Sequence, residues 1–151
     1  MCHKMQNDVQ HILARLINLP RPVRLLIVGL WMGVIWLASE RGAKAIQSDA
    51  ASAVRSAPRQ VLELAAVGGH VVEFGMLGAL LAWALPEPLH NRWLRRVLAW
   101  ALTSGYGVVD EWHQSWVPGR VPSLFDVAVD SSSGLVGVVA SEIITGAFGA
   151  A

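Results

Sequence analysis

Eight side chains able to bind, exchange protons or ligate stand in or at the ends of largely apolar stretches: His70, Glu73, Asp110, Glu111, His113, Gln114, Asp126 and Asp130. Their spacing sorts them into groups. His70 and Glu73 are three residues apart, so on a helix they share a face. Asp110, His113 and Gln114 follow i, i+3, i+4, with Glu111 turned about 100° away from Asp110. Asp126 and Asp130 are one helical turn apart. Between the last two groups runs Val117-Pro118-Gly119-Arg120-Val121-Pro122, a short turn stiffened by its prolines, which delivers Arg120 to a fixed place. A guanidinium stays charged and grips a carboxylate or phosphate through paired hydrogen bonds. Acids and histidines gathered in one pocket can bind hydroxyls, amines or a cation. They can also divide the work of general acid and general base. Five acids against one arginine leave surplus negative charge, which a proton, a histidine, a metal or a ligand cation must offset.

The chain that carries these residues has 151 positions, 54% of them hydrophobic and 15% charged, with a mean hydropathy of +0.45. Soluble domains carry roughly 25% charged residues, so a fully water-facing surface cannot be built from this composition. A disordered chain is excluded by the same numbers. The net charge of +1 excludes a strongly basic nucleic-acid binder. A single cysteine, Cys2, excludes an internal disulfide framework and a cysteine metal cluster. Trp31, Trp36, Trp83, Trp93, Trp100, Trp112 and Trp116 suit the membrane–water interface and helix packing. The composition describes one small integral membrane domain over residues 1–151.

Four apolar segments position the polar residues. They run from about Val23 to Ala38, Leu62 to Leu85, Leu94 to Trp112 and Leu124 to Phe148. Between Phe74 and Leu85 no side chain is charged and no polar stripe exists, unlike a soluble bundle helix. Gly134 and Gly137 suit close approach between membrane helices. The expected fold is therefore all-α: a polytopic four-helix transmembrane bundle. Val9, Ile12, Leu13, Leu16 and Ile17 predict an amphipathic N-terminal helix over 1–20, capped at Asp8 and stopped at Pro20. Ser39-Glu40-Arg41 offers no small-x-small cleavage site, so the first span reads as an uncleaved anchor. Ser39 to Gln60 reads as a loop with room for one short surface helix. With the N-terminus cytoplasmic, that side holds seven Lys/Arg (Lys4, Arg15, Arg21, Arg24, Arg92, Arg95, Arg96) against five (Arg41, Lys44, Arg55, Arg59, Arg120). The bias favours both termini inside.

An up-down bundle puts the start of span two, the end of span three and the start of span four at one end. All eight polar residues and Arg120 then converge there, on the outer face under this orientation. Asp110-Glu111-Trp112-His113-Gln114-Ser115-Trp116-Val117-Pro118-Gly119-Arg120, followed by Asp126, Asp130, Gly134 and Gly137, resembles the signature of the VanZ-like family. His70-Val71-Val72-Glu73-Phe74 with Leu77-Gly78 is similar to its earlier motif. The resemblance covers about residues 60 to 140. It implies a multi-pass protein of the bacterial cell membrane, with a founding member linked to low-level teicoplanin resistance, and it implies architecture rather than a reaction.

Each residue has a structural alternative. His70 and Glu73 can be a pair joining helices, and Glu111 can pair with Arg120 or meet interfacial water. His113 can be a solvated interfacial histidine, Gln114 a helix-end cap, and Asp126 the N-cap of span four or the salt-bridge partner of Arg120. The functional reading makes His70, Glu73, Asp110, Glu111, His113, Gln114, Arg120, Asp126 and Asp130 one pocket for the head group of a lipid, a lipid-linked envelope precursor or a lipoglycopeptide-related ligand. The alternative is an intramembrane enzyme acting on a lipid-linked substrate, by acid–base chemistry or by a divalent metal on His70, Glu73, His113 and an aspartate. No HExxH-type spacing is present, so no metal or other cofactor is expected. A third possibility is a structural subunit whose polar cluster holds helices in register.

Overall fold

The computed structural model describes residues 15–47, 58–86, 91–118 and 120–148, except for the side chains of 41–47, 59, 147 and 148. Among these residues the chain is helical, without strands, and forms four long helices: α1 (Arg21–Gln47), α2 (Arg59–Ala84), α3 (Arg92–Gln114) and α4 (Leu124–Phe148). Local chemistry sets their ends. Pro58 precedes α2, and extended Leu85 followed by Pro86 ends it. The Asn91 side chain accepts the Trp93 amide at 2.9 Å and so caps α3. At α4 the Ser123 hydroxyl accepts the Asp126 amide at 3.3 Å. Ser123, not Asp126, is the N-cap, and Asp126 lies in the first turn, where its charge suits the helix dipole.

The first helix is longer than its apolar stretch. It continues past Ala38 to Gln47, through what the composition suggested was loop. Alanine, glutamate, arginine and lysine are good helix formers, and Gly42 alone does not stop a helix already nucleated. Most of the expected N-terminal amphipathic helix lies outside the described residues. Its last turn, Arg15 to Ile17, is helical. That end is tied to the bundle, where Trp83 donates to the Ile17 carbonyl at 3.1 Å and Arg24 Nε to the Leu19 carbonyl at 2.7 Å.

Contacts between helices fix an up-down-up-down order. Trp31 donates to the Glu73 carbonyl and Arg24 to the Trp83 carbonyl, so α1 and α2 are antiparallel. His70 meets Asp130 while Gly78 meets Gly134, so α2 and α4 run parallel. Ser104 meets Ser131, and Arg95 and Arg96 meet Glu142, so α3 and α4 are antiparallel. The α2–α4 contact is the most extensive in the bundle. A Cβ on Gly137 would collide with the Gly75 carbonyl, and one on Gly78 with the Gly134 backbone. Glycines at these positions let the two backbones touch.

Burial is inverted relative to a water-soluble bundle. Ser39, His70, Thr103, Asp110, Glu111, His113, Gln114, Asp130, Ser133 and Ser141 are buried, alongside an apolar core centred on Ile35, Phe74, Leu77 and Val138. Leu26, Leu30, Leu64, Val72, Val136 and Ile143 are exposed. Water favours the reverse. Three stretches, Arg21–Glu40, Gln60–Ala84 and Leu124–Gly146, are long and apolar enough to cross a membrane. α3 is not among them. It carries arginines at its start and Asp110, Glu111, His113 and Gln114 at its end, all four of the latter turned inward.

Candidate functional site

The polar residues gather at the end of the bundle where α1 and α3 finish and α2 and α4 begin. Asp110 is the deepest acid from α3. Its Oδ2 accepts from Gln114 Nε2 at 2.7 Å, one turn on, and its Oδ1 accepts from Ser39 Oγ of α1 at 2.7 Å. All three side chains are buried. Across the bundle His70 Nδ1 lies 2.8 Å from Asp130 Oδ1, also buried, while Asp130 Oδ2 has no partner among the described residues.

Glu111 was expected to turn away from the inward face, yet it is 5% exposed. Its Oε2 accepts the backbone amide of Ser123 at 2.6 Å, holding the start of α4 from the neighbouring helix. The inward face of α3 is wide because α4 covers the sector that Glu111 occupies. Glu111 Oε1 is buried and unpartnered among the described residues. His113, a candidate for a solvated interfacial residue, is instead buried and stacked on Trp36, with ring centroids 3.5 Å apart. Its Nε2 lies 3.9 Å from Glu40 Oε1.

A cleft of about 130 Å³ opens at this end. Ala38, Ala65, Ala66 and Gly69 leave the space, and Ser39, His70, Glu73 and Arg120 supply its polar groups. Arg120 is set by the turn after α3, where its amide donates to the Val117 carbonyl at 3.1 Å. Among the described residues its buried Nε has no hydrogen-bond partner and the side chain forms no ion pair with Asp126. Asp110, Gln114 and Asp126 do not line this cleft. Asp110 and Gln114 stand behind Ser39, and Asp126 belongs to a second grouping. One ligating atom each from His70, Glu111 and Asp126 lies within 4.8 Å of the other two. His70 thus joins the cleft, the buried aspartate and this grouping.

Ser39, Trp36 and Glu40 were missed by the sequence reading. The signal was present, since the topology that gathers the other residues also brings the end of the first span to the same place. The sequence matches the VanZ/LLP1 family over residues 24–145. The chain belongs to that family. No curated protein and no solved structure matches it significantly. The matched segment contains every residue of the polar cluster described above, including those from α1.

Proposed function

We propose that this VanZ/LLP1 protein crosses the bacterial cell membrane four times, with both termini inside, and uses its outer-face cleft to hold the anionic head group of a lipid or lipid-linked envelope precursor. The resemblance to the VanZ-like family, whose founding member is linked to teicoplanin resistance, adds a lipoglycopeptide-related ligand as a second occupant for the same cleft. α3 serves as the fourth span because the polar groups at its end, Asp110, Glu111, His113 and Gln114, face the bundle and leave Val108, Val109 and Trp112 outward, while its arginines stand at the opposite end.

The observation that carries this reading is Arg120. A guanidinium beside a cleft, held by a turn, with its buried Nε unpartnered and Asp126 not paired to it among the described residues, is arranged to receive an anion. Phosphate fits its fork geometry. Ser39, His70 and Glu73 line the same space and offer donors and acceptors to hydroxyl or amine groups beside that phosphate.

The test is a titration of the purified protein in detergent with a short-chain polyprenyl phosphate and with phosphatidylcholine. The anionic polyprenyl phosphate binds more tightly than the zwitterionic phosphatidylcholine. Arg120→Ala weakens that binding by about tenfold or more, since a charge-assisted hydrogen bond contributes roughly 1.5–3 kcal/mol. Arg120→Lys falls between, as it keeps the charge without the fork. Equal binding of the two lipids, or indifference to Arg120→Ala, overturns the proposal.

A further inference from the structure

We infer that His70, Glu111 and Asp126 form a site for one divalent transition-metal ion at the mouth of the bundle. Their ligating atoms lie within 4.8 Å of one another. Donor atoms around a tetrahedral ion stand about 3.4 Å apart for bonds near 2.1 Å, so small side-chain rotations close the set. The three ligands come from α2, α3 and α4, which is why no two-histidine helical motif announces them in the sequence.

Two further observations point to a cation. Glu111 is 5% exposed, and its Oε1 is buried with no partner among the described residues, while Oε2 is occupied by the Ser123 amide. An unpaired buried carboxylate oxygen is costly unless something positive meets it. Arg120 does not, since it has no ion pair among the described residues. The second observation is the orientation of His70. Its Nδ1 lies 2.8 Å from Asp130 Oδ1, and in the tautomer that donates to the ionised Asp130 carboxylate the proton sits on Nδ1 and the lone pair on Nε2. Nε2 has no partner among the described residues. A carboxylate behind a histidine, fixing its tautomer and raising its basicity, is the usual support of a metal-bound imidazole.

One imidazole and two carboxylates suit zinc or manganese better than magnesium, which takes oxygen ligands and keeps its waters. Because His70 also lines the Arg120 cleft, the ion's charge stands beside the anion site. The two sites share His70, but the metal site does not rest on the lipid reading, and it is tested without lipid.

The full chain in detergent is stripped with a chelator, then dialysed against Zn2+, Mn2+ or Mg2+ and analysed for bound metal. About one equivalent of Zn2+ or Mn2+ is retained, and Mg2+ is retained less well. Asp126→Asn, which keeps the size and shape of the side chain but removes its charge, weakens binding by about tenfold or more, and Glu111→Gln does the same. Glu142→Gln, at the far end of α4, leaves binding unchanged. Electron paramagnetic resonance of bound Mn2+ shows a nitrogen ligand that disappears in His70→Ala. Absence of stoichiometric metal in the wild type overturns the inference, as does affinity indifferent to both Asp126→Asn and Glu111→Gln.

Discussion

Arg120 and Asp126 lie six positions apart at the same end of the bundle, and a salt bridge between them would have made the turn a brace. They form none among the described residues. Breaking a buried pair by removing one member costs about 3–5 kcal/mol, and removing both restores much of it. For this protein, Arg120→Ala therefore melts close to wild type in detergent, and Arg120→Ala with Asp126→Ala gains nothing over the single change. A large loss in the single variant, repaired in the double, would return Arg120 to a structural role. The sequence revealed that a polar cluster exists, because charged residues in apolar stretches are conspicuous. It did not reveal how the cluster divides. Asp110 and Asp130 look alike as letters, yet one is held by Ser39 and Gln114 and the other by His70. That division depends on which neighbouring helix fills each sector, and helical spacing alone does not encode it.

At the level of elements, hydropathy located all four helices, but not the end of α1, where helix propensity outlasts hydrophobicity. The glycines behave differently from one helix to another, and here structure adds what composition cannot. Gly33 of α1 has open space where a Cβ would stand, whereas a Cβ on Gly137 would strike the Gly75 carbonyl. Gly33→Ala should be neutral or stabilise by up to about 1 kcal/mol through helix propensity. Gly137→Ala gains the same propensity but must push α2 and α4 apart. Overpacking of that kind costs about 1–3 kcal/mol or more, with a backbone atom as the obstacle. Thermal melts of the two variants in one detergent measure the contrast. Equal melting temperatures would mean that α2 and α4 do not touch at their backbones. The same pair carries His70 and Asp130, so Gly137→Ala should also weaken binding at the cleft without altering a residue in it.

For the whole molecule, the decisive feature is that polarity is asymmetric along the bundle axis as well as inverted across it. One end holds the buried acids, histidines and Arg120. The other holds Arg24 over Trp83, Arg96 over Trp93, and Glu142 paired with Arg95 and Arg96. Arginine with tryptophan at a helix end is an interfacial anchor, and arginine is retained on the cytoplasmic side. The predicted orientation puts that anchored end inside and the cleft outside. Cysteine labelling in intact cells tests it, with Cys2 replaced by serine. Ser123 is a poor site for the probe, because its hydroxyl caps α4 and its amide is held by Glu111. Val121, 83% exposed in the turn between α3 and α4, disturbs neither. Val121→Cys should react with an impermeant maleimide from outside, and Asn91→Cys should react only after the membrane is opened. If α3 did not span, the two positions would label from the same side, and the four-span reading would fail. If the pattern reversed, the cleft would open to the cytoplasm and its ligand would come from the inner leaflet. The contacts of His70 with Asp130, of Asp110 with Ser39 and Gln114, and of Glu111 with Ser123 would stand unchanged in either case, because the helix directions fix that gathering and the membrane only decides which compartment it faces.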